Sequence, residues 1–362
     1  LDADSEGEEG KFYVWSEQEI DEILGADAGL FKDIYDVSPD GNWEGKNILN
    51  RIHSGDRDLT VDEEQSIGSA RDKLLNARAH RIRPGRDDKV LADWNGLVIR
   101  ALARAGMIFE CQEWIDLGIT AFDAILSTMT WTDGEGRARL AHSLCRGRLQ
   151  PVDMLDDYAN MMHAALALKS ATGEDRFITQ GMEWADLVHD LFWSQGGHGY
   201  FFTASDAENL IVRTAAVTDS ATPSGNGTML KVLSRLFHLT GEDQFRLRVE
   251  ALIDAFDFEA MRHFPHSCVF LNGFEDFIDG LQVIVVGNHS DDKVQTLLRK
   301  ALQGSHPTLL LATVSNAAAL PASHAAHSKE QIDGQATAYV CRGPVCQPPV
   351  TTAGALQDLL NT

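Results

Sequence analysis

Four groups of polar side chains stand beside stretches of sequence that predict buried helices. Paired carboxylates can move a proton on and off a sugar oxygen, and aromatic faces pack against the C–H faces of a sugar ring. Both kinds of side chain occur in the four groups, so the pattern is typical of a carbohydrate site. The groups are Asp4 with Glu6; Asp88 and Lys89 with Trp94 and Asn95; Asp156 and Asp157 with Tyr158; and Ser224 with Asn226.

Three carboxylates are the catalytic candidates: Asp157, Asp156 and Asp88. We expect Asp157 to be the general acid or base, because Asp156 can cap its helix and leave Asp157 free. A neighbouring carboxylate raises the pKa of one member of such a pair and keeps it protonated nearer neutrality. Lys89 could offset that charge, and Asp157 would then stay ionised and act as a base or an anchor.

The other members of the four groups are candidates for binding the substrate. Aromatic rings would stack on a sugar, and amides would bind its hydroxyls. For Asp156 and Ser224, simple helix capping explains each residue equally well. The substrate-binding candidates are Asp4, Glu6, Lys89, Trp94, Asn95, Tyr158, Ser224 and Asn226.

The chain contains a repeat that indicates how these groups are positioned. Apolar helical stretches end at Gly106, Gly173 and Gly241, which are 67 and 68 residues apart. Glycine just after a helix accepts the left-handed C-terminal conformation. An amphipathic stretch follows each glycine, so each unit is one buried helix, a turn and one half-exposed helix. Such self-similarity indicates a helical repeat architecture.

The period is longer than the roughly 34–47 residues of an open solenoid of helix pairs. The additional residues, at 137–143, 199–203 and 210–213, read as strands and loops between the hairpins. A ring of hairpins, with inner helices lining a hub and loops on one face, fits better than an irregular all-α domain. The starts of the inner helices would then meet at one end of the hub and bring the four polar groups together.

The last quarter of the chain has a different pattern. A β-branched run at 282–287, a helix at 292–302 and an apolar run at 308–314 predict a βαβ unit with a small parallel sheet. A third strand at 336–341 and a helix at 352–360 follow. We therefore predict two domains, a helical one over residues 1–275 and a small α/β tail over 276–362.

Composition excludes several functions. The 362 residues carry 31 basic and 54 acidic side chains, a net charge of −23, which argues against a nucleic acid or an anionic membrane as partner. Five cysteines form no disulfide framework, so a reducing, cytoplasmic location is expected. Cys341 and Cys346 could pair or bind a metal, with a structural role favoured. The histidines show no tight metal-ligand spacing, and we expect no metal and no cofactor.

Five motifs together resemble one known family. They lie at 2–15, 87–97 (DDKVLADWNGL), 155–159 (LDDYA), 199–203 (GYFFT) and 221–226 (ATPSGN). In this order they resemble the thioredoxin-domain-containing family typified by spermatogenesis-associated protein 20. The resemblance implies an (α/α)6 toroid related to six-hairpin glycosidases and N-acylglucosamine 2-epimerases. It also implies a thioredoxin-like domain ahead of the toroid, and we expect this chain to lack that domain and the first helices of the ring.

The fold class we predict is mainly α: an incomplete (α/α)6 toroid of helical hairpins with a small C-terminal α/β segment. The function favoured is sugar binding at an acidic cleft, with hydrolase-like or epimerase-like chemistry. The expected partners are a sugar or sugar derivative and the thioredoxin-like domain of a longer parent protein. The alternative is a non-catalytic scaffold that serves this thioredoxin-like domain.

Overall fold

The computed structural model of the chain describes residues 1–361, apart from 56, 209, 316–319 and 344. The chain divides into two units, Leu1–Asp88 and Lys89–Thr362. Among the described residues, no helix has both the length and the apolar character needed to cross a bilayer.

The first unit consists of a small hairpin and three helices. The hairpin joins β1 (Asp4–Ser5) to β2 (Glu8–Glu9), and the helices are α1 (Glu17–Leu24), α2 (Ala28–Ile34) and α3 (Val61–Ala79). Ser16 and Glu19 form a reciprocal capping box at the start of α1, because each side chain accepts a backbone N–H of the other residue. The helices bury Ile20, Phe31 and Ile67 between them.

The second unit begins with the three hairpins that the repeat predicts. An inner helix is followed by an outer helix each time, and a fourth inner helix comes after the third hairpin. The pairs are α4 (Ala92–Ile108) with α5 (Gln112–Thr128), α6 (Leu155–Thr172) with α7 (Asp175–Phe192), and α8 (Gly225–Thr240) with α9 (Asp243–Arg262); the fourth inner helix is α10 (Cys268–Asp279).

The inner helices α4, α6, α8 and α10 pack side by side in chain order, with glycines where they touch. A Cβ on Gly96 would lie 2.6 Å from the backbone of Asn160 in α6, and one on Gly273 would lie 2.8 Å from the backbone of Lys231 in α8. A Cβ on Gly225 would overlap Asp156 at the start of α6. Residues near the start of one helix contact residues near the start of its neighbour, and residues further along contact residues further along. The four inner helices are therefore parallel and start at the same end.

The ends of the inner helices confirm two of the three predicted glycine caps. Gly173 and Gly241 follow α6 and α8 with φ values of 74° and 72°, in the left-handed region. The prediction for Gly106 is wrong, because α4 continues to Ile108. Gly106 lies inside the helix, where a Cβ would be 2.5 Å from Cγ1 of Ile115 on α5. Close packing of α4 and α5 therefore explains this glycine.

Burial differs between the inner helices. α6 and α8 are buried over most of their length, as predicted, and both contribute to the main core. α4 is not buried on all sides, because Trp94 and Val98 are 58% and 57% exposed. The apolar sequence of α4 predicts a fully enclosed helix. This prediction is wrong for the face of α4 that carries these two side chains.

Short strands connect the hairpins at the end where the inner helices begin. β3 (Lys89–Leu91), β6 (Ser143–Cys145) and β7 (Arg148–Gln150) form one antiparallel sheet, and β4 (Thr130–Thr132) pairs with β5 (Ala138–Leu140). The strand predicted over 199–203 is replaced by isolated bridges at Tyr200 and Thr203. The side chain of Asn226 explains this difference, because it binds both the N–H and the C=O of Tyr200 in place of a neighbouring strand.

The C-terminal segment confirms the predicted βαβ unit. β8 (Leu281–Val286), α11 (Asp292–Leu302) and β9 (Leu309–Val314) put two strands in parallel. β10 (Thr337–Arg342) pairs antiparallel with β8 and with β11 (Val345–Cys346), and α12 (Ala353–Leu360) closes the segment. A disulfide joins Cys341 to Cys346 across the β10–β11 turn.

The fold is therefore mainly α, built from helical hairpins of the α/α toroid type, with a small C-terminal α/β segment. The boundary that we predict between residues 275 and 276 stays a prediction, and α10 continues across it.

Candidate functional site

Acidic side chains and one histidine meet where α4 and α6 begin. Side-chain atoms of Asp93, His142 and Asp157 lie within 4.8 Å of one another. Asp157 is fully buried, Asp93 is 8% exposed, and the His142 ring is 27% exposed. With Asp156, which precedes Asp157, these residues form what we call the acid cluster.

The backbone around His142 places the imidazole over the start of α4. His142 follows β5 and precedes β6; its N–H donates to the carbonyl of Val152 (2.7 Å), and its own carbonyl accepts the N–H of Ala92, the first residue of α4 (3.0 Å). The ring therefore stands next to Asp93 and Asp157. This arrangement ties a loop residue to the first turns of two inner helices.

Asp157 holds His142 and also caps its own helix. Nδ1 of His142 lies 3.0 Å from Oδ1 of Asp157, while Oδ2 of Asp157 accepts the N–H of Met154 (3.0 Å) at the start of α6. The capping role that we expected for Asp156 therefore belongs to Asp157. The reason is geometric, because the third residue of a helix can reach back to the N–H that precedes the helix.

Asp156 points instead at the neighbouring helix. Its carboxylate lies against Gly225, the first residue of α8, where the backbone N–H groups of the helix end favour negative charge. Burial and the carboxylates of Asp157 and Asp93 nevertheless raise the pKa of Asp156 to about 7. Repulsion and desolvation outweigh the helix terminus, so Asp156 holds its proton near neutrality.

The pKa values of the other members of the acid cluster are also raised. The hydrogen bond with Asp157 raises the pKa of His142 above its ordinary value, and burial raises the pKa of Asp93. Burial also raises the pKa of Asp157, although its bond with His142 acts in the opposite direction. Nε2 of His142 makes no hydrogen bond with the described residues and is left to exchange a proton with a ligand.

The separation of the Asp93, His142 and Asp157 atoms would also suit a divalent cation, because carboxylate oxygens and imidazole nitrogens both bind such ions. The hydrogen bond between His142 and Asp157 accounts for the same approach without a metal. We therefore describe the pair as a hydrogen-bonded dyad.

A buried ionic group fixes the chain just before α6. Arg139 is 2% exposed and donates two hydrogen bonds to Asp153, through Nε and Nη2, each at 2.7 Å. Arg139 also pairs with Asp206 (2.7 Å), and Asp153 accepts the hydroxyl of Tyr158 (2.8 Å). This bidentate, charge-assisted contact anchors the turn that delivers Asp156 and Asp157.

A small pocket of about 150 Å³ opens beside Asp156 at the start of α8. This is smaller than the roughly 300–1,000 Å³ of typical ligand sites, so it suits a single small polar group. Five of the residues along its wall carry hydroxyl groups, which can donate and accept hydrogen bonds. The hydroxyl-bearing residues are Thr214, Thr218, Ser220, Thr222 and Ser224.

Three of the predicted binding residues serve the scaffold instead. Tyr158 is fully buried and bonds Asp153, so it offers no face for stacking. Asn226 is 1% exposed, and its amide binds the backbone of Tyr200. Ser224 is the N-cap of α8, where its hydroxyl accepts the N–H of Gly227 at 3.2 Å.

Two other predicted residues lie on the first turn of α4. Trp94 is exposed and follows Asp93 directly, so its ring is available to a ligand at this end of the helix. Asn95 is half-buried, and its amide donates to the carbonyl of Leu91 (2.8 Å). Lys89 lies just ahead, in β3, with an exposed side chain.

The remaining predicted residues belong to the first unit. Asp4 is exposed in β1, Glu6 forms a 3.5 Å ion pair with Lys11, and Asp88 pairs with Arg86. Their approach to the acid cluster stays a prediction.

Sequence reasoning missed His142 and Asp93. His142 lies in a segment whose pattern predicts only a strand between hairpins. Asp93 stands five residues after Asp88, the carboxylate that the sequence pattern favours. One signal was available for Asp93: it directly precedes Trp94 at the predicted start of a buried helix. No local pattern marks His142, because its partner Asp157 is 15 residues away in the chain.

Comparison with solved structures finds helical carbohydrate-active proteins. The chain has 19% sequence identity to cellobiose 2-epimerase from Spirochaeta thermophila, with a TM-score of 0.40 over 48% of this chain and 44% of that one. A family 76 α-mannanase from Bacteroides thetaiotaomicron is 10% identical, with a TM-score of 0.43 over 66% of this chain and 67% of that one. No protein-family model matches the chain.

Comparison of sequences finds relatives that align along nearly the whole chain. Human spermatogenesis-associated protein 20 is 27% identical over 99% of the chain and 51% of its own length. A Caenorhabditis elegans protein is 25% identical over 98% of the chain and 52% of its own length. The chain thus spans about half the length of the curated relatives it matches. The resemblance that the motifs predict is confirmed, because the chain is similar to spermatogenesis-associated protein 20 over nearly the whole length of the chain.

Proposed function

We propose that the chain binds a carbohydrate at the acid cluster and carries out acid–base chemistry on it. The observation that carries this proposal is Asp156: a carboxyl with a pKa of about 7, beside a second aspartate, on the wall of a small hydroxyl-lined pocket. A carboxyl that keeps its proton near neutrality can serve as a general acid.

The other members of the cluster supply the complementary base. Asp157 holds His142 by Nδ1 and leaves Nε2 to accept a proton, so Asp157 is a positioning residue. Asp156 would donate a proton to a sugar oxygen while His142 removes one from water or from a sugar carbon. Removal of a proton from water is hydrolase-like chemistry, and removal of a proton from a sugar carbon is epimerase-like chemistry. Asp88 stays a further catalytic candidate.

The surroundings support a sugar as ligand. Serine and threonine hydroxyls around Asp156 match the donors and acceptors of sugar hydroxyls, and the exposed ring of Trp94 offers an apolar face at the start of α4. Other binding candidates are Asp4, Glu6, Lys89 and Asn95.

The proposal extends to the longer parent protein. The chain spans about half of its relatives' length, and the family resemblance implies a thioredoxin-like domain in the rest. The cysteine usage favours a cytoplasmic location for this protein. The scaffold alternative is not favoured, because helix capping accounts for Asp157 and Ser224 but leaves Asp156 with a raised pKa and no capping role in its own helix.

The experiment is a binding and turnover assay on the purified chain. Glucose, mannose, N-acetylglucosamine and cellobiose are titrated calorimetrically, and NMR in D2O follows hydrogen exchange at C2 and the release of new reducing ends. We expect one of these sugars to bind and react. Asp156→Asn should keep binding but lose turnover by about 100-fold or more, because general acid catalysis typically contributes 10²–10⁴.

The matched control is Asp175→Asn, which removes an exposed carboxylate in the first turn of α7 and should leave both binding and turnover unchanged. Failure of all four sugars to bind, or wild-type turnover by Asp156→Asn, would refute the proposed function.

A further inference from the structure

A second set of charges lies deeper along the same inner helices. Arg100 and Arg104 belong to α4, and Lys231 and Arg235 belong to α8; we call these four the cation cluster. Their facing carboxylate is Asp276 of α10, which is fully buried and lies 3.2 Å from Lys231 and 2.8 Å from Arg235. Four basic side chains thus meet in a chain whose net charge is −23.

Helix periodicity connects the two clusters. Arg100 follows Asp93 by seven residues, and Lys231 follows the N-cap Ser224 by seven, so the members of each pair share one face of their helix. Seven residues advance a helix by about 10 Å. His163 follows Asp156 in the same way on α6. A polar stripe therefore runs from the acid cluster into the cation cluster.

The charges of the cation cluster do not balance. Within the described part of the chain, neither Arg100 nor Arg104 forms an ion pair, while Asp276 is shared by the two cations of α8. Burial, together with Arg235 and Arg104, lowers the pKa of Arg100 to about 10, so it stays charged at neutral pH. Four positive charges therefore face one negative charge.

His163 adds no charge to this set. It is buried in the middle of α6, and burial together with the nearby cations lowers its pKa well below the ordinary value. The imidazole is therefore neutral and supplies one further hydrogen-bonding group to the stripe.

Unpaired polar atoms mark the same region. Nη2 of Arg235, Oδ1 of Asp276, Oδ1 of Asn160 and Oγ1 of Thr228 are buried without a hydrogen-bond partner among the described residues. Buried polar groups in native proteins nearly always have a partner. Arg100 is half-buried and Arg104 is exposed, so the cluster can be reached from outside.

We propose that Arg100, Arg104, Lys231 and Arg235 form a binding site for a phosphate group, either inorganic phosphate or a phosphate monoester. Three planar guanidinium groups can each bind two oxygens of one tetrahedral anion, and a lysine adds a point charge. An anion at this place offsets the surplus positive charge and gives Arg235 a partner. The site does not depend on the acid–base function of the acid cluster.

The test is calorimetric titration of the chain in Tris buffer at constant ionic strength, with inorganic phosphate, glucose 6-phosphate and glucose as separate ligands. We expect saturable binding of a phosphate-bearing ligand. Equal affinity for both phosphate ligands assigns the site to free phosphate, and tighter binding of the sugar phosphate assigns it to monoesters. Failure of both phosphate-bearing ligands to bind would overturn the proposal.

Two variants separate the site from general charge effects. Arg100 and Arg104 have no carboxylate partner among the described residues, so replacing either one with Gln breaks no ion pair there. Each replacement should weaken phosphate binding by about tenfold or more. Arg262→Gln makes the same charge change at an exposed position in the last turn of α9 and should bind phosphate like wild type.

Thermal unfolding gives a second readout. Phosphate should raise the Tm of wild type and of Arg262→Gln, and this rise should shrink in Arg100→Gln. Without phosphate, Arg100→Gln should melt no lower than wild type, because it removes a repelled charge. Absence of phosphate binding to wild type, or undiminished binding to both arginine variants, would contradict the site.

Discussion

The two ends of the polar stripe handle crowded charges in opposite ways. At the start of the inner helices, Asp93, Asp156 and Asp157 stand around one histidine. Further along, Lys231 and Arg235 pair with Asp276, and the positive charges of Arg100 and Arg104 lie within electrostatic range of the same carboxylate. Carboxyls can neutralise themselves by taking up a proton near neutrality, whereas guanidinium groups cannot release theirs. The acid cluster can therefore lower its net charge by binding protons, whereas the cation cluster can lower its net charge only by attracting anions.

This difference separates residues that can exchange protons from residues that stabilise the fold through a fixed ion-pair partner. A group that can change its charge at working pH can exchange protons with a ligand, as Asp156 and His142 can. A group that must stay charged needs a fixed partner, and Asp276 is that partner for Lys231 and Arg235.

Replacing Asp276 should cost the most stability. Asp276→Asn leaves Lys231 and Arg235, whose side chains are 12% and 14% exposed, without their carboxylate. Breaking a buried pair typically costs about 3–5 kcal/mol. Urea denaturation monitored by circular dichroism measures the loss. Asp279→Asn in the same helix is the control, because Asp279 is exposed and its pair with Arg342 contributes little. Equal losses in the two variants would contradict the fixed-partner role.

Replacing Asp156 should change how stability depends on pH. The folded pKa of about 7 lies above the ordinary 3.8, so wild type binds the proton more tightly when folded and loses stability as pH rises from 4 to above 7. Asp156→Asn should match wild type below about pH 4 and exceed it at pH 8 by roughly 4 kcal/mol, at about 1.4 kcal/mol per pKa unit.

Denaturation curves at several pH values measure this difference. Asp93, Asp157 and His142 also have raised pKa values, so part of the decline should remain in the variant. A pH profile of Asp156→Asn parallel to that of wild type would show that Asp156 does not carry the proton.

A methyl group at Gly225 should disturb the acid cluster by crowding. Its Cβ would overlap Oδ1 of Asp156, and overpacking of this kind costs about 1–3 kcal/mol. Gly225→Ala should therefore lower stability and shift the titration of Asp156. Gly181→Ala on α7 meets no atom within 4 Å and should stabilise the protein slightly, which makes it the matched control. Thermal melts of the two variants should move in opposite directions.

Loss of the N-cap of α8 should have the smallest effect. Ser224 accepts the N–H of Gly227 and donates to the carbonyl of Val217 (3.0 Å), so Ser224→Ala should cost about 1 kcal/mol. Because Asp156 rests on the same helix start, the variant should also alter its titration. Urea denaturation measures the loss. If Ser224→Ala proved as stable as wild type, Ser224 would not stabilise α8 as its N-cap.

Local sequence patterns were sufficient for the hairpins. Gly173 and Gly241 mark helix ends through their backbone conformation, which depends on neighbours in the chain. Gly106 looks the same in sequence but is selected by contact with Ile115 across the hairpin. A pattern along the chain cannot distinguish these two causes.

The candidate site was only partly predictable for the same reason. The pair Asp156 and Asp157 was identified from adjacent carboxylates at a helix start, but their roles depend on which neighbour each one meets. Asp157 turns back to Met154 and His142, while Asp156 reaches Gly225, 69 residues further along the chain. Such long-range partners decide the pKa values, and they leave no local signature.

The most direct test is the titration of the Asp156 carboxyl itself. NMR of the chain with 13C-labelled aspartate, assigned by loss of one signal in Asp156→Asn, follows each carboxyl from pH 4 to pH 9. The account predicts one carboxyl signal, lost in that variant, with a midpoint near pH 7. A midpoint for Asp156 near its ordinary value of 3.8 would contradict the protonated acid on which the proposed function rests.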